Sequence, residues 1–155
     1  DIHGHGHSIK RIEIGYILTK EELDLTDTQL ISDEKYVLKS SICGLVNRNK
    51  NGYNFAELLR GTYSLGYYFS RYDLSSVPSP SAKSPGSSNP YFNGGYITST
   101  YDSSNDTAGT FDAIQLEFDS KTRESKNLQK TAESVVSAVL DYFDKHYNTA
   151  IPKNE

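Results

Sequence analysis

The 155-residue chain carries a formal net charge of −4, with 35% hydrophobic and 23% charged residues. Twelve Tyr and six Phe can build a core, so the composition indicates one globular domain over residues 1–155 and excludes wholesale disorder. The acidic balance excludes nucleic acid as the expected partner, no apolar run reaches the roughly 18 residues that cross a bilayer, and the lone Cys43 excludes an internal disulfide.

Two strands are predicted near the start of the chain. Residues 1–3 form a short extended segment that ends near His3, and the alternating glycines of residues 4–7 predict a turn. In residues 11–18 every second residue is apolar, which predicts a strand with one buried face. The chain contains no Met and no signal-peptide pattern, and its first residue lies in a predicted element. We therefore expect a processed or trimmed chain, and its compartment is not predicted.

Helices are predicted through the first half of the chain. Thr19 with Glu22 matches a capping box, which predicts a short helix, and a longer helix is predicted from Ser32 to a turn at residues 49–52. Asn54 is predicted to cap a helix over residues 55–59. A further helix is predicted to contain residues 63–69.

The second half begins with a Ser- and Pro-rich segment at residues 75–95, which we interpret as a functional loop. Strands are predicted at residues 96–101 and 111–118, separated by a turn at 103–109 that holds an Asn-Asp-Thr sequon. In residues 128–147 apolar residues recur every three or four positions, which predicts a helix. Strands alternating with helices predict an α/β fold with a mostly parallel sheet flanked by helices, and the small number of strands suggests that the sheet is incomplete in this chain.

Three of the four histidines lie at positions 3, 5 and 7. Imidazole is the most common protein ligand for a metal such as zinc, and the end of a strand can direct alternate residues to one side. Asp1 could orient the ring of His3 or join the site. A solvated or tag-like terminus is the alternative, but a tag would not run directly into an amphipathic strand.

Two further features could carry chemistry. Glu117 lies near the end of an apolar strand, where a carboxylate is costly unless it is paired or functional, although it could also line a solvated strand face. Glu13 has the same ambiguity and a weaker claim. The pair Gly94 and Gly95, followed by Tyr96, would allow close backbone approach to a ligand, and it would equally form an ordinary turn.

Five segments taken in order, DIHGHGH, RIEIGY, VPSP, NPYFNGGYITSTY and AIQLEF, resemble the N-formylglutamate amidohydrolase family. That family is similar in fold to the zinc carboxypeptidases and the aspartoacylase-like deacylases. The resemblance implies a three-layer α/β sandwich around a mixed, mostly parallel sheet. It also implies a zinc ion, with no membrane or nucleic-acid partner, and hydrolysis of an N-acyl amino acid or a related amide.

The resemblance also assigns roles to individual residues. His3 matches a zinc ligand, with His5 and Asp1 as further candidates, and Glu117 matches the carboxylate that acts as general base and then as general acid. The substrate-binding segment that it implies contains four residues, Gly94, Gly95, Tyr96 and Thr98.

Two departures from the family pattern shape the expectations. The other zinc ligands of the family come from an earlier half, so we expect this chain to be the C-terminal portion of a larger domain. On this expectation the preceding segment is a partner, and the chain alone binds zinc weakly. Ser99 stands where family members often carry a basic residue, which makes another N-acyl amino acid, a peptide or a cell-wall amide as good a candidate as formylglutamate.

Two non-enzymatic alternatives remain open from the sequence. One is a ligand- or protein-binding relative that kept the fold and lost the metal. The other is an interaction domain in which tyrosines at positions 63, 67, 68, 91 and 96 form a recognition surface.

Overall fold

The computed structural model describes residues 1–104 and 111–147. The described strands are β1 (Ile2–Gly4), β2 (Ile12–Gly15), β3 (Ser76–Val77) and β4 (Gln115–Phe118). They form one sheet in the order β1-β4-β2-β3, in which β1 pairs with β4 and β2 with β3 in parallel, whereas β2 and β4 are antiparallel. The chain therefore has an α/β fold with a mixed, mostly parallel sheet, as the sequence predicts.

Seven short helices and one long helix accompany the sheet in the described part of the chain. They are α1 (Lys20–Leu23), α2 (Asp27–Ser32), α3 (Lys35–Lys39), α4 (Cys43–Arg48), α5 (Phe55–Arg60), α6 (Leu65–Arg71), α7 (Tyr96–Tyr101) and α8 (Ser125–Tyr147). Helix α8 has 23 residues and packs against α6, and it confirms the helix predicted from apolar spacing. No described helix has the length and apolarity that a membrane crossing requires.

The two central strands have one apolar and one polar face. Because alternate side chains of a strand point to opposite faces, Ile12 and Ile14 of β2 share a face with Leu116 and Phe118 of β4. All four are buried in the hydrophobic core together with residues of α6 and α8. The opposite face of the same strands carries Gln115, Glu13 and Glu117 and is the polar one.

Helix caps confirm the predicted starts of two helices. The side chains of Thr19 and Asn54 each accept a hydrogen bond from the backbone N–H three residues later, and the Glu at that position bonds back to the cap. Such reciprocal capping typically stabilises a helix start by about 1 kcal/mol. Cys43, the first residue of α4, is a free and buried cysteine.

The long helix predicted from Ser32 onward is wrong. Ser32 is the last residue of α2, and two short helices, α3 and α4, follow it. The chain is extended at Ser40, and the backbone of Ser41 leaves the helix to accept from the N–H of Ala113 and to donate to the carbonyl of Tyr16. These tertiary hydrogen bonds replace the helical ones, so apolar spacing alone could not reveal the break.

The strand predicted at residues 96–101 is also wrong, because this segment is helix α7. Tyr96, Ile97 and Tyr101 are exposed and Thr98 is buried, which is a helical pattern formed by residues of high strand propensity. The segment 75–95 begins with strand β3 and is otherwise a loop. The sequon at residues 105–107 and Pro152 lie outside the described residues.

Strand β1 lies at one edge of the sheet, where Ile2 is 71% exposed. Arg123 spans the ends of β1 and β4, with its Nε donating to the carbonyl of Phe118 and its Nη2 to that of His5, at 3.1 and 3.0 Å. A Cβ on Gly4 would lie 2.6 Å from the guanidinium carbon of Arg123, so only glycine leaves room for this contact.

Arg60 is a buried charge that ties the helices to the loop. Its side chain is 2% exposed and donates to the carbonyls of Leu23 and Leu25, both at 2.6 Å, and to that of Lys83 at 3.3 Å. Its Nε donates to Asp27 at 2.8 Å. Helix α5 therefore anchors α1, α2 and the loop through one guanidinium group.

Replacing Arg60 by Met leaves these buried carbonyls without donors, so we expect the free energy of unfolding to fall by about 3–5 kcal/mol. Arg71→Met is the matched control, because that side chain is 50% exposed and its ion pair with Asp141 is worth about 0–1 kcal/mol. Urea unfolding measures both. Equal losses in the two variants would contradict the role of Arg60.

His146 gives the stability a dependence on pH. Burial lowers the pKa of His146 from its ordinary value of 6.5, and its Nε2 lies 2.8 Å from the carbonyl oxygen of Tyr63. The folded chain favours the neutral ring, so the stabilisation is complete above about pH 6.5 and is lost as the pH falls toward the lowered pKa.

We expect His146→Gln, which keeps an N–H donor for the carbonyl of Tyr63, to make the free energy of unfolding less dependent on pH below about pH 6.5. The measurement is the free energy of unfolding in urea between about pH 8 and about pH 5 for both proteins. Identical slopes below about pH 6.5 would show that His146 does not carry the effect.

Candidate metal centre

Three potential metal ligands converge beside the sheet. His5 and His7 follow β1, Glu13 lies in β2, and one ligand atom from each lies within 4.8 Å of the other two. Among the described residues this is the only group of three or more His, Cys, Asp or Glu side chains with such an arrangement. His5 is 2% and Glu13 is 1% exposed, whereas the His7 side chain is 19% exposed and gives the group access to solvent.

Sheet topology explains the convergence. Strand β1 runs parallel to β4, and β2 runs antiparallel to β4. The last residue of β1 and the first residue of β2 therefore lie at the same end of the sheet. The N–H of His5 donates to the carbonyl of Phe118 at 2.9 Å and continues the pairing of β1 by one residue. The short connection from His7 to β2 then brings both rings to Glu13.

Hydrogen bonds fix the tautomer of His5. Its Nε2 lies 2.8 Å from the carbonyl oxygen of Arg11, which can only accept, so Nε2 carries the proton. Its Nδ1 is then the acceptor, and it receives the backbone N–H of His7 at 3.1 Å. A backbone carbonyl on one ring nitrogen is the usual support of a metal-binding histidine. The lone pair of Nδ1 is occupied by the His7 N–H, so His5 would bind a metal through Nδ1 only if this hydrogen bond were given up.

Glu13 is a buried carboxylate with a partner on each oxygen. The Nδ1 of His7 lies 2.8 Å from Oε1, and the backbone N–H of Phe92 donates to Oε2 at 2.8 Å. The ring of Phe92 stacks on that of His7, with centroids 4.8 Å apart and planes 12° apart. The long loop therefore fixes both the carboxylate and one imidazole.

Glu117 lies beside Glu13 on the polar face. The two residues are paired across β4 and β2, and side chains in such positions have Cβ atoms about 4.5–5.5 Å apart. Oε1 of Glu117 accepts from Gln115 Nε2 at 2.8 Å, whereas Oε2 is buried and has no hydrogen-bond partner. Leaving a buried carboxylate oxygen unpaired is costly, which is typical of a functional group.

His3 also shares this face, because it is paired with Glu117 across β1 and β4. Its side chain is 49% exposed, and its Nε2 lies 2.8 Å from Asp1 Oδ1, so Asp1 orients the ring as the sequence suggests. The group of three ligands does not include His3 or Asp1. Of the three ligand candidates taken from the family resemblance, His3, His5 and Asp1, the structure brings only His5 into the group, and the assignment of His3 as a ligand stays a prediction.

The glycines of the predicted substrate segment are required by close packing. Gly94 has φ of 127°, and a Cβ there would lie 2.6 Å from Cδ1 of Ile17. A Cβ on Gly95 would lie 2.8 Å from Oε1 of Gln115, which is the residue that holds Glu117. The pair therefore lets the loop and α7 close over the polar face.

The other two residues of that segment have opposite environments. Tyr96 is 81% exposed, and nothing in its surroundings fixes its hydroxyl near Glu117. Thr98 is fully buried, and its Oγ1 has no hydrogen-bond partner. Substrate binding by the segment stays a prediction.

Burial shifts two ionisable groups near the centre. Burial raises the pKa of Tyr91 well above its ordinary value, so its hydroxyl stays neutral and donates to the carbonyl of Ile14 at 2.6 Å. Burial lowers the pKa of Arg11, partly offset by the negative charge of Glu13. Tyr91 therefore stays a hydrogen-bond donor to β2, and Arg11 contacts the ligand group through its backbone carbonyl.

Comparison of the chain with protein-family models, with curated proteins and with solved structures finds no match in any of the three. The likeness to the amidohydrolases therefore depends on the sequence motifs alone.

Sequence reasoning gave Glu13 and His7 too little weight. The signal that could have found them is His-x-His followed six residues later by a glutamate within a strand, since two imidazoles and a carboxylate form a common catalytic zinc set. That signal needs the topology to be known, because only the return of the chain into β2 brings Glu13 to the histidines.

We expect the chain to bind one Zn²⁺, and we expect His5→Ala, His7→Ala and Glu13→Ala each to weaken binding by about tenfold or more. Isothermal titration calorimetry measures the affinity and the stoichiometry.

His3→Ala is the matched control for zinc binding, and its affinity should equal that of the unaltered chain. A loss in His3→Ala comparable to that in the other variants would support the ligand assignment made from the sequence instead.

Proposed function

We propose that this chain is a metal-dependent hydrolase of amide C–N bonds, with zinc held by His5, His7 and Glu13. One observation carries the proposal: three ligand atoms lie within 4.8 Å of one another on the face that also carries Glu117. Two histidines and a glutamate leave the fourth position of a tetrahedral zinc open, as catalytic sites require.

The surroundings of the three ligands fit this donor set. The Arg11 carbonyl accepts from His5 and the Phe92 N–H donates to Glu13, so two of the three ligands have the outer hydrogen bond that metal sites depend on. The third, His7, is held by the stacked ring of Phe92. When bound, zinc supplies a polarised substrate carbonyl and a water that ionises near neutral pH. All three donors come from this chain, so the proposal needs no ligand from a preceding segment.

Glu117 is proposed as the general base and then the general acid. Its Oε2 has no partner among the described residues and can accept a proton, while Gln115 holds Oε1 and fixes the carboxylate in place. Proton transfer to the departing amine by the same carboxylate completes the hydrolysis of an amide. Its position beside Glu13 supports this assignment.

The proposed substrate is an N-acyl amino acid, a peptide or a related amide. This class rests on the motif likeness to N-formylglutamate amidohydrolases and on the loop that reaches Glu13 through Phe92. An open cleft of about 420 Å³ between that loop and the start of α1 is lined by His7, Phe92 and Lys20. A small amide fits such a cleft beside the exposed edge of His7.

For the zinc-loaded full chain, we expect amine release from at least one member of a panel of N-formyl and N-acetyl amino acids. Glu117→Gln should lower kcat by about 10²–10⁴-fold with unchanged zinc affinity, because it removes the proton acceptor and keeps the shape. The measurements are amine release and zinc titration.

Glu133→Gln, a change on the exposed surface of α8, is the matched control and should keep full activity. The hydrolase proposal would be wrong if no panel member released amine or if Glu117→Gln were as active as the unaltered chain. Substrate binding without turnover would favour the ligand-binding alternative, in which His7, Glu13 and Phe92 only hold the loop.

A further inference from the structure

A second cavity lies next to the ligand group, at the same end of the sheet. It is open to solvent, has a volume of about 260 Å³ and is bordered by the connection before β2, the connection before β3, the segment after β4 and the first half of α8. The proposed hydrolase function makes no use of it.

Positive charge is concentrated in this cavity. Four cationic side chains line it, namely Lys10, Arg11, Lys121 and Lys130, against two acidic ones, Asp73 and Asp119. The chain as a whole carries a net charge of −4, so the excess of positive charge here is a local arrangement. Like charges gathered around a small cavity repel one another and attract an anion.

The hydrogen-bonding state of these groups separates those held elsewhere from those free to meet a ligand. The guanidinium of Arg11 faces away from the cavity, because its Nη2 donates to the carbonyl of Pro85 at 3.4 Å and its charge lies beside Glu13. Lys10 donates to the carbonyl of His7 and to the hydroxyl of Ser120, which holds its ammonium group in place. One of the two acidic groups, Asp119, is already engaged by the backbone N–H groups of Lys121 and Thr122.

The rest of the lining suits a small, hydrated anion. Hydroxyl groups of Ser75, Thr131 and Ser134 and the amide of Asn127 line the same cavity and can donate to oxygen atoms. A volume of about 260 Å³ accommodates a phosphate group with a few further atoms and is too small for a polymer.

We propose that this cavity binds a phosphoryl dianion, either free phosphate or the phosphate group of a small monoester. Lys121 and Lys130 supply the charge, because an ammonium group is a compact point charge that can donate to phosphate oxygens.

The test is calorimetric titration of the full chain with inorganic phosphate and, separately, with glycerol phosphate. A chelator is present, so that no metal at His5, His7 and Glu13 contributes to binding. We expect saturable binding of at least one of the two anions. The anion that binds more tightly shows whether the site takes free phosphate or the phosphate group of a monoester. Sodium chloride at matched ionic strength should give no saturable heat.

Variants locate the site. The double variant Lys121→Ala/Lys130→Ala should weaken phosphate binding by about tenfold or more, whereas Lys126→Ala, an exposed lysine of α8 paired with Glu124, should not. Asp73→Asn should tighten binding, because it removes a negative charge from the lining and asparagine tolerates the positive φ of 60° found there.

Three results would overturn the proposal: no saturable heat with either anion, an equal loss in Lys126→Ala, or weaker binding in Asp73→Asn. None of these results bears on the hydrolase proposal, which is tested with zinc and amide substrates.

Discussion

A carboxylate that is buried away from water must accept hydrogen bonds from the protein. Glu13 is such a group, and the segments that supply its donors meet at one end of the sheet. At 1% exposure it draws the ring of His7 to one oxygen and the backbone N–H of Phe92 to the other, both at 2.8 Å. The segment after β1, strand β2 and the long loop therefore meet at a single charged group. The carbonyl of Arg11, two residues before Glu13, holds His5 beside this meeting point.

Much of the fold could be predicted, because it depends on local patterns. The alternation in β2 and β4, the capping residues Thr19 and Asn54 and the apolar spacing of α8 each report on their own neighbourhood. The predictions were wrong where contacts between distant segments determine the local structure. The backbone of Ser41 is hydrogen-bonded to Tyr16 and Ala113 and not within a helix. Tyr96–Tyr101 forms a helix despite its high strand propensity, since only Thr98 is buried there.

The sequence indicated which types of residue form the candidate site but not which of them lie together. Alternating histidines and Glu117 were recognisable as candidates, and Glu117 does lie buried on the polar face with an unpaired oxygen. Which histidines meet which carboxylate depends on the path of residues 5–11, and parity along the strand gives no information once the strand has ended. The family resemblance favoured His3, which is hydrogen-bonded to Asp1, whereas the turn carries His5 and His7 to Glu13.

The contact between Arg123 and Gly4 has a consequence for the cohesion of the sheet. Strand β1 has only three residues and lies at the border, where it pairs with β4 alone. The guanidinium of Arg123 donates to the carbonyls of Phe118, the last residue of β4, and of His5, just after β1, and so links the ends of the two strands. A side chain at position 4 would occupy the space of that guanidinium, so glycine there allows a short border strand to be fastened from outside the sheet.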